Sequence, residues 1–118
     1  MLMDYKKITR DELKTKLDNK DDFLLVNVLS AASFETLRIK GSINIDIAQP
    51  DFLEQLNKAT GGDTSKEIVV YCSSAVCQAS PSAARKLSDA GYMNVYTYEG
   101  GLADWREAEY PMQGVLAK

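Results

Sequence analysis

The 118-residue sequence contains no histidine, only two cysteines and only three prolines. It also has no apolar run approaching the ~20 residues that span a bilayer. Each absence removes a class of chemistry. Without histidine, no Ser-His-Asp triad, Cys-His dyad or histidine-based metal centre can be built from this chain alone. Two thiols are half of a structural zinc set and too few for the disulfide framework of small secreted domains, so neither a metal nor another cofactor is expected. The segment Met1-Leu2-Met3-Asp4-Tyr5-Lys6-Lys7 lacks the apolar stretch of a signal peptide, which gives a cytoplasmic expectation with both thiols reduced at rest. Fourteen basic against seventeen acidic residues give a formal charge of −3, a poor footprint for phosphate backbones. Neither nucleic acid nor a membrane is an expected partner. Catalysis, if present, must run on other groups.

What is there is the composition of one globular domain. A hydrophobic fraction of 45% and a charged fraction of 26% are ordinary, and the chain has room for a single core. Residues 1–118 are therefore read as one domain, without repeats or linkers. Along it, strand-like and helix-like segments alternate. Thr9-Arg10-Asp11-Glu12 has the form of a capping box and is followed by Leu13 and Leu17, predicting a helix from Arg10 to Asp18. Phe23 to Val28 is a short, nearly continuous apolar run, as in a strand buried on both faces. Ser30 is placed to cap a second helix carrying Phe34 and Leu37, and Ile43-Asn44-Ile45 returns to extended chain after Gly41. Asp51, with Glu54 three residues on, predicts a third helix bearing Phe52, Leu53 and Leu56. Ile68-Val69-Val70-Tyr71 is the most strand-like run and reads as a central strand. Ser80-Pro81 then reads as cap and first position of a helix that Gly91 ends. Asn94 to Tyr98 reads as a strand and Leu102 to Ala108 as a short helix bearing the only tryptophan, Trp105. Such alternation predicts an α/β layer sandwich.

In open α/β sheets, ligands bind beyond the carboxyl ends of the strands, and Cys72 follows the central strand at that place. The loop Ser73-Ser74-Ala75-Val76-Cys77-Gln78-Ala79 is built of small or uncharged residues, so its backbone can curl closely and aim several N–H groups at one centre. Such a nest favours an anion. Together with a helix starting near Ser80, it is expected to lower the pKa of a nearby thiol, making Cys72 a nucleophile rather than a buried small hydrophobe. Cys77 sits in a C-x4-C spacing that matches neither a redox C-x-x-C nor a zinc knuckle. It is either incidental packing or a resolving thiol, the latter requiring the two Cα atoms within ~7 Å. Tyr92, Tyr96, Tyr98 and Trp105 read as core and edge packing, although an exposed tyrosine-rich C-terminal face would let two chains pair. Lys6, Lys7, Lys14 and Lys16 read as solvated faces, and Arg38 and Arg85 as surface arginines able to contact an anion.

Taken together, Ile68-Val69-Val70-Tyr71-Cys72, the small-residue loop, Asp89-Ala90-Gly91-Tyr92 and Asn94-Val95-Tyr96-Thr97-Tyr98-Glu99-Gly100-Gly101-Leu102-Ala103-Asp104-Trp105 closely resemble the rhodanese-like domains. The Glu-Gly-Gly-x-x-x-Trp run is the most specific part. Phe23 to Val28, Phe34-Glu35 and Ile39-Lys40-Gly41-Ser42-Ile43-Asn44-Ile45 are similar to the family's first core strand and its His-Ile-Pro-Gly-Ala-x-Asn-Ile stretch. The likeness covers about residues 8–113. It implies a three-layer α/β/α sandwich with a mostly parallel five-stranded sheet.

By position, the resemblance makes Cys72 the cysteine that accepts a sulfane sulfur as a persulfide. Ser73, Ser74, Ala75, Val76, Cys77 and Gln78 then form the loop whose amides cradle it. It implies a small sulfur-containing anion or a persulfide as donor, a thiol or cyanide as acceptor, and a partner protein as a further option. Three departures stand out. Asn27-Val28-Leu29 replaces a common Asp-Val-Arg, Arg38 stands where histidine is common, and the loop is about two residues longer, without arginine and with Cys77. A Cys-x5-Arg phosphatase or arsenate reductase would need arginine where this chain has Gln78, and the oxyanion fork is missing. The leading expectation is a sulfurtransferase. The alternative is a noncatalytic or redox-sensing module of the same fold using Cys72 and Cys77.

Overall fold

The computed structural model describes residues 5–117. Met1 to Asp4, part of the segment read for a signal peptide, and Lys118 lie outside the described residues. The elements in chain order are β1 (Tyr5–Lys7), α1 (Arg10–Asp18), β2 (Leu24–Asn27), α2 (Ala31–Thr36), β3 (Arg38–Ile39), β4 (Ile43–Asn44), α3 (Phe52–Thr60), β5 (Glu67–Tyr71), α4 (Ala79–Asp89), β6 (Asn94–Tyr98), α5 (Gly101–Glu107) and β7 (Met112–Gln113).

Five strands form one sheet in the order β1-β6-β5-β2-β4, and every pairing in it is parallel. The "mostly parallel" expectation thus becomes wholly parallel. The edge strand β1 pairs through Tyr5 with Val95, in a segment whose lysines gave no strand signal. Charged residues on an edge strand guard it against pairing with other chains, which is why its sequence reads as a solvated face. The small antiparallel pair of β3 and β7 also went unread, because two residues show no period.

Strand alternation builds two cores, one on each face of the sheet. Val26, Ile68, Val70, Cys72 and Val95 face α3 and α4, meeting Phe52, Leu56, Ala83, Ala84 and Leu87. Leu25, Val69, Tyr71 and Tyr98 face the opposite side, meeting Leu13 of α1 and Leu102 and Trp105 of α5. The three-layer sandwich follows directly. Val69 and Val70 point to opposite faces yet both are wholly buried, so β5 has no wet side and each valine gains about 2 kcal/mol from burial.

The predicted helix starts meet different fates. Thr9 and Glu12 close a reciprocal capping box, with Glu12 N–H donating to Thr9 Oγ1 at 3.1 Å and Thr9 N–H donating to Glu12 Oε1 at 2.9 Å. Ser30 caps α2 through Ser33 N–H at 3.2 Å. Asp51 occupies the cap position of α3, but at φ −98° and ψ 22° its carboxylate makes no cap bond and accepts from Gln55 Nε2 instead. Helix α4 starts at Ala79, so Ser80 is its second residue and not its cap. Pro81 is tolerated at the third position because the first four N–H groups of a helix have no intrahelical acceptor. The exposed tyrosine face does not form: Tyr92, Tyr98 and Trp105 are buried. Trp105 meets Tyr98 and Tyr110 edge-on, with centroids 5.9 and 4.9 Å away. No helix among the described residues is long and apolar enough to cross a membrane.

Candidate functional site

The chain passes from β2 to β4 on one side of the sheet and then to β5 on the other, so the order of strands reverses at the middle. Loops leaving the carboxyl ends of the strands diverge at such a point and leave room for a ligand. Cys72 directly follows β5, the middle strand, and is wholly buried.

Helix α5 holds the start of the loop. Leu102 N–H donates to the Cys72 carbonyl at 3.0 Å and Ala103 N–H to the Ser73 carbonyl at 2.9 Å. A peptide unit whose carbonyl is drawn one way sends its N–H the other way, and the Ser73 N–H accordingly reaches the Cys77 sulfur. The close approach of α5 to the Cys72 carbonyl explains Gly101. Its φ is +62°, and a Cβ there would stand 2.4 Å from the Cys72 carbonyl oxygen.

The far end of the loop curls back. Cys77 N–H donates to the Ser74 carbonyl at 3.1 Å, and Val76 at the apex is 86% exposed. The Cys72 thiol donates to the Cys77 carbonyl at 3.6 Å. From the other side, the N–H and the hydroxyl of Ser80, in the first turn of α4, reach the Cys72 sulfur. Ser80 is itself buried and accepts from Thr97 Oγ1 at 3.1 Å, so its own hydroxyl hydrogen is free for the sulfur.

Burial pushes the Cys72 thiol above its usual range, and the contact with Cys77 pushes it further, while the Ser80 hydroxyl and N–H pull less strongly the other way. The expectation of a lowered Cys72 pKa is thereby corrected. The helix end does act on the sulfur, but desolvation outweighs it. Cys77 shifts the opposite way. Burial alone would raise it, yet the neighbouring Cys72 side chain, the Ala79 and Ser73 N–H groups and the Ser73 hydroxyl together bring it below the usual thiol range.

Of the loop residues singled out in the sequence, Ser73 supplies N–H and hydroxyl donors, but to Cys77. Ser74 closes the turn through its carbonyl, whereas Ala75, Val76 and Gln78 are exposed. Ser74, Ala75 and Val76 border a shallow depression of about 450 Å³ completed by Gly100, Ala103, Asp104 and Glu107. Arg38 donates to the Phe34 carbonyl at 3.1 Å and stacks on the Phe34 ring, and it borders a separate depression with Ala31 and Glu35. Arg85 is exposed on α4. Ser80 and Thr97 were missed as contributors, because a serine beside proline at a helix start reads as a cap and a threonine in a strand reads as a β-former.

Compared with known proteins, residues 9–108 match the family described as the rhodanese-like domain. The chain belongs to that family. It is 30% identical over 109 residues to a protein of Coxiella burnetii named thiosulfate sulfurtransferase GlpE, covering 92% of this chain and 94% of that one. Among solved structures, the BH2092 protein of Bacillus halodurans superposes with a TM-score of 0.84 at 22% identity, covering 95% of this chain and 79% of that one. The Alr3790 protein of Anabaena gives 0.79 at 23% identity, covering 93% and 94%. At these identities the two structures speak to the fold. Within the rhodanese-like frame, the Glu99-Gly100-Gly101 turn is the device that brings α5 onto the Cys72 loop.

Proposed function

We propose that this rhodanese-like protein is a sulfurtransferase that carries a sulfane sulfur as a persulfide on Cys72. The observation that carries the reading is the placement of a buried Cys72 directly after the middle strand of the parallel sheet, at the mouth of the loop that leads into the 11-residue α4. Membership in the family and the likeness to a thiosulfate sulfurtransferase support it. The Cys72 thiolate attacks the outer sulfur of thiosulfate, or the sulfane sulfur of a persulfide. Sulfite or a thiolate leaves with the electron pair of the broken S–S bond. Charge accumulates on the transferred sulfur, and Ser80, the α4 terminus and the loop amides of Ser74, Ala75, Val76 and Gln78 stabilise it. A thiol or cyanide then takes the sulfur and returns the thiolate. In the resting arrangement the Cys77 carbonyl faces the thiol, so sulfur binding requires that carbonyl to turn away.

Intact mass after incubation with thiosulfate tests this. Cys77→Ser should gain one sulfur, about 32 Da, and Cys72→Ser should gain none. Sulfur retained by Cys72→Ser, or refused by Cys77→Ser from both thiosulfate and glutathione persulfide, would overturn it.

A redox-sensing module is the second reading, favoured by the opposite pKa shifts of two facing thiols. It predicts a Cys72–Cys77 disulfide under mild peroxide and no sulfur uptake by either single variant.

A further inference from the structure

The two thiols stand in one loop, and the second has no role in the transfer just described. Cys77 is half-buried, five residues beyond Cys72, and the turn closed by its N–H on the Ser74 carbonyl folds it back over the first cysteine. Its carbonyl is 3.6 Å from the Cys72 sulfur, and each thiol perturbs the ionisation of the other. The Ser73 N–H, the Ser73 hydroxyl and the Ala79 N–H, from the two ends of the loop, favour the Cys77 thiolate. These are acceptor-seeking groups, and a thiolate satisfies them better than a thiol does.

We infer that Cys77 is the resolving thiol of a Cys72 persulfide, releasing the carried sulfur as hydrosulfide without an external acceptor. The inference rests on the persulfide reading above. The Cys77 thiolate attacks Sγ of Cys72, and the bond between that Sγ and the sulfane sulfur breaks. The protonated outer sulfur leaves as HS⁻ with the bonding pair, and a Cys72–Cys77 disulfide forms. The Cys77 sulfur is oxidised to the disulfide level and the sulfane sulfur is reduced to sulfide, so no outside oxidant enters. A dithiol reductant then restores both thiols. Once the loop has closed again after loading, position favours Cys77 over an external acceptor, because in the closed arrangement Cys72 is wholly buried beneath the loop that carries Cys77.

The test follows persulfide decay. Wild-type protein and Cys77→Ser are loaded with thiosulfate, freed of small molecules and incubated without added thiol. Wild type should release one equivalent of hydrosulfide, and its mass should fall to about 2 Da below the reduced chain as the disulfide forms. A peptide map should join Cys72 to Cys77, and dithiothreitol should restore the reduced mass. Cys77→Ser and Cys77→Ala should keep the added sulfur at least about tenfold longer. Equal persulfide lifetimes in wild type and both variants would overturn the resolving role, as would hydrosulfide release without a Cys72–Cys77 link. Failure of Cys77→Ser to load at all instead removes the persulfide reading beneath it, so the two failures are told apart.

Discussion

The side-chain amide of Asn27 donates to the Tyr71 hydroxyl at 3.1 Å, within a pair of residues that are register partners on β2 and β5. Tyr71 also accepts from Ile39 N–H at 3.0 Å and lies 2.9 Å from Ser42 Oγ, which donates to the Ile39 carbonyl at 2.7 Å. With two donors already on its oxygen, Tyr71 must give its own hydrogen to Ser42. A neutral, fully paired network thus ties β2 and β5 to the turn between β3 and β4.

Tyr71→Phe should therefore be costly despite its near-identical shape. It leaves the Asn27 amide and the Ile39 N–H buried without an acceptor, a loss of about 1–3 kcal/mol. A urea titration should show the midpoint falling with an unchanged slope. A midpoint equal to wild type would mean that the network contributes nothing to stability.

The same hydroxyl, with that of Tyr98, sets the alkaline behaviour. Burial raises the pKa of both, and for Tyr98 the hydrogen bond it donates to Asp104 Oδ2 at 2.7 Å adds to the rise. Below about pH 10 each phenol is protonated in folded and unfolded chains alike, and its stabilisation is fully present. Above that, the unfolded chain loses protons that the folded one keeps, so stability falls as pH rises, by up to about 1.4 kcal/mol per unit per tyrosine. Urea midpoints from pH 9 to 11 should decline in wild type and decline less in Tyr98→Phe. Identical slopes would contradict the assignment.

Ser80→Ala should make Cys72 a poorer nucleophile. In a Cys77→Ser background it removes one of the two groups that favour the thiolate, so the pH profile of iodoacetamide alkylation should move to higher pH. The rate at pH 8 should drop about three- to tenfold. Thr97→Val, which frees the Ser80 hydroxyl oxygen without removing it, should have a smaller effect. An unmoved profile in Ser80→Ala would remove Ser80 from the site.

Gly101→Ala combines a left-handed φ of +62° with a Cβ placed 2.4 Å from the Cys72 carbonyl. Gly91 offers the control, with φ +102° and nothing within 4 Å of a Cβ. Gly91→Ala should lose about 1–2 kcal/mol from backbone strain alone, and Gly101→Ala clearly more. Only the Gly101 variant should also change the alkylation rate of Cys72. Equal losses with unchanged reactivity would show that the close approach is immaterial.

These positions differ in how legible they were in the sequence. Helix α1 announced itself through Thr9 and Glu12, and β5 through four consecutive apolar residues, because capping and burial on both faces leave local marks. Strand β1 and the β3–β7 pair left none, since β1 carries the charges of an edge strand and strands of two residues show no period. Cys72 was readable as the residue after the central strand. Its ionisation was not, because desolvation depends on how the whole loop closes over it. Ser80 was noticed for the wrong reason: a helix that begins two residues earlier places the supposed cap inside the first turn, beside the Cys72 sulfur.

The attachment of the loop to α5 also determines what can move. Cys72 and Ser73 are pinned by the Leu102 and Ala103 amides, and from Ala79 onward the chain belongs to α4. Rearrangement is thus confined to the five residues from Ser74 to Gln78, a flap between two fixed posts. Ordering so short a segment costs little chain entropy, so the site can pass between closed and open states without disturbing the sheet beneath it. The turn joining Ser74 to Cys77 is the one backbone bond within that flap, so it serves as the latch. Whatever sulfur species arrives must undo that latch together with the contacts that Cys77 makes with the Cys72 thiol and with Ser73.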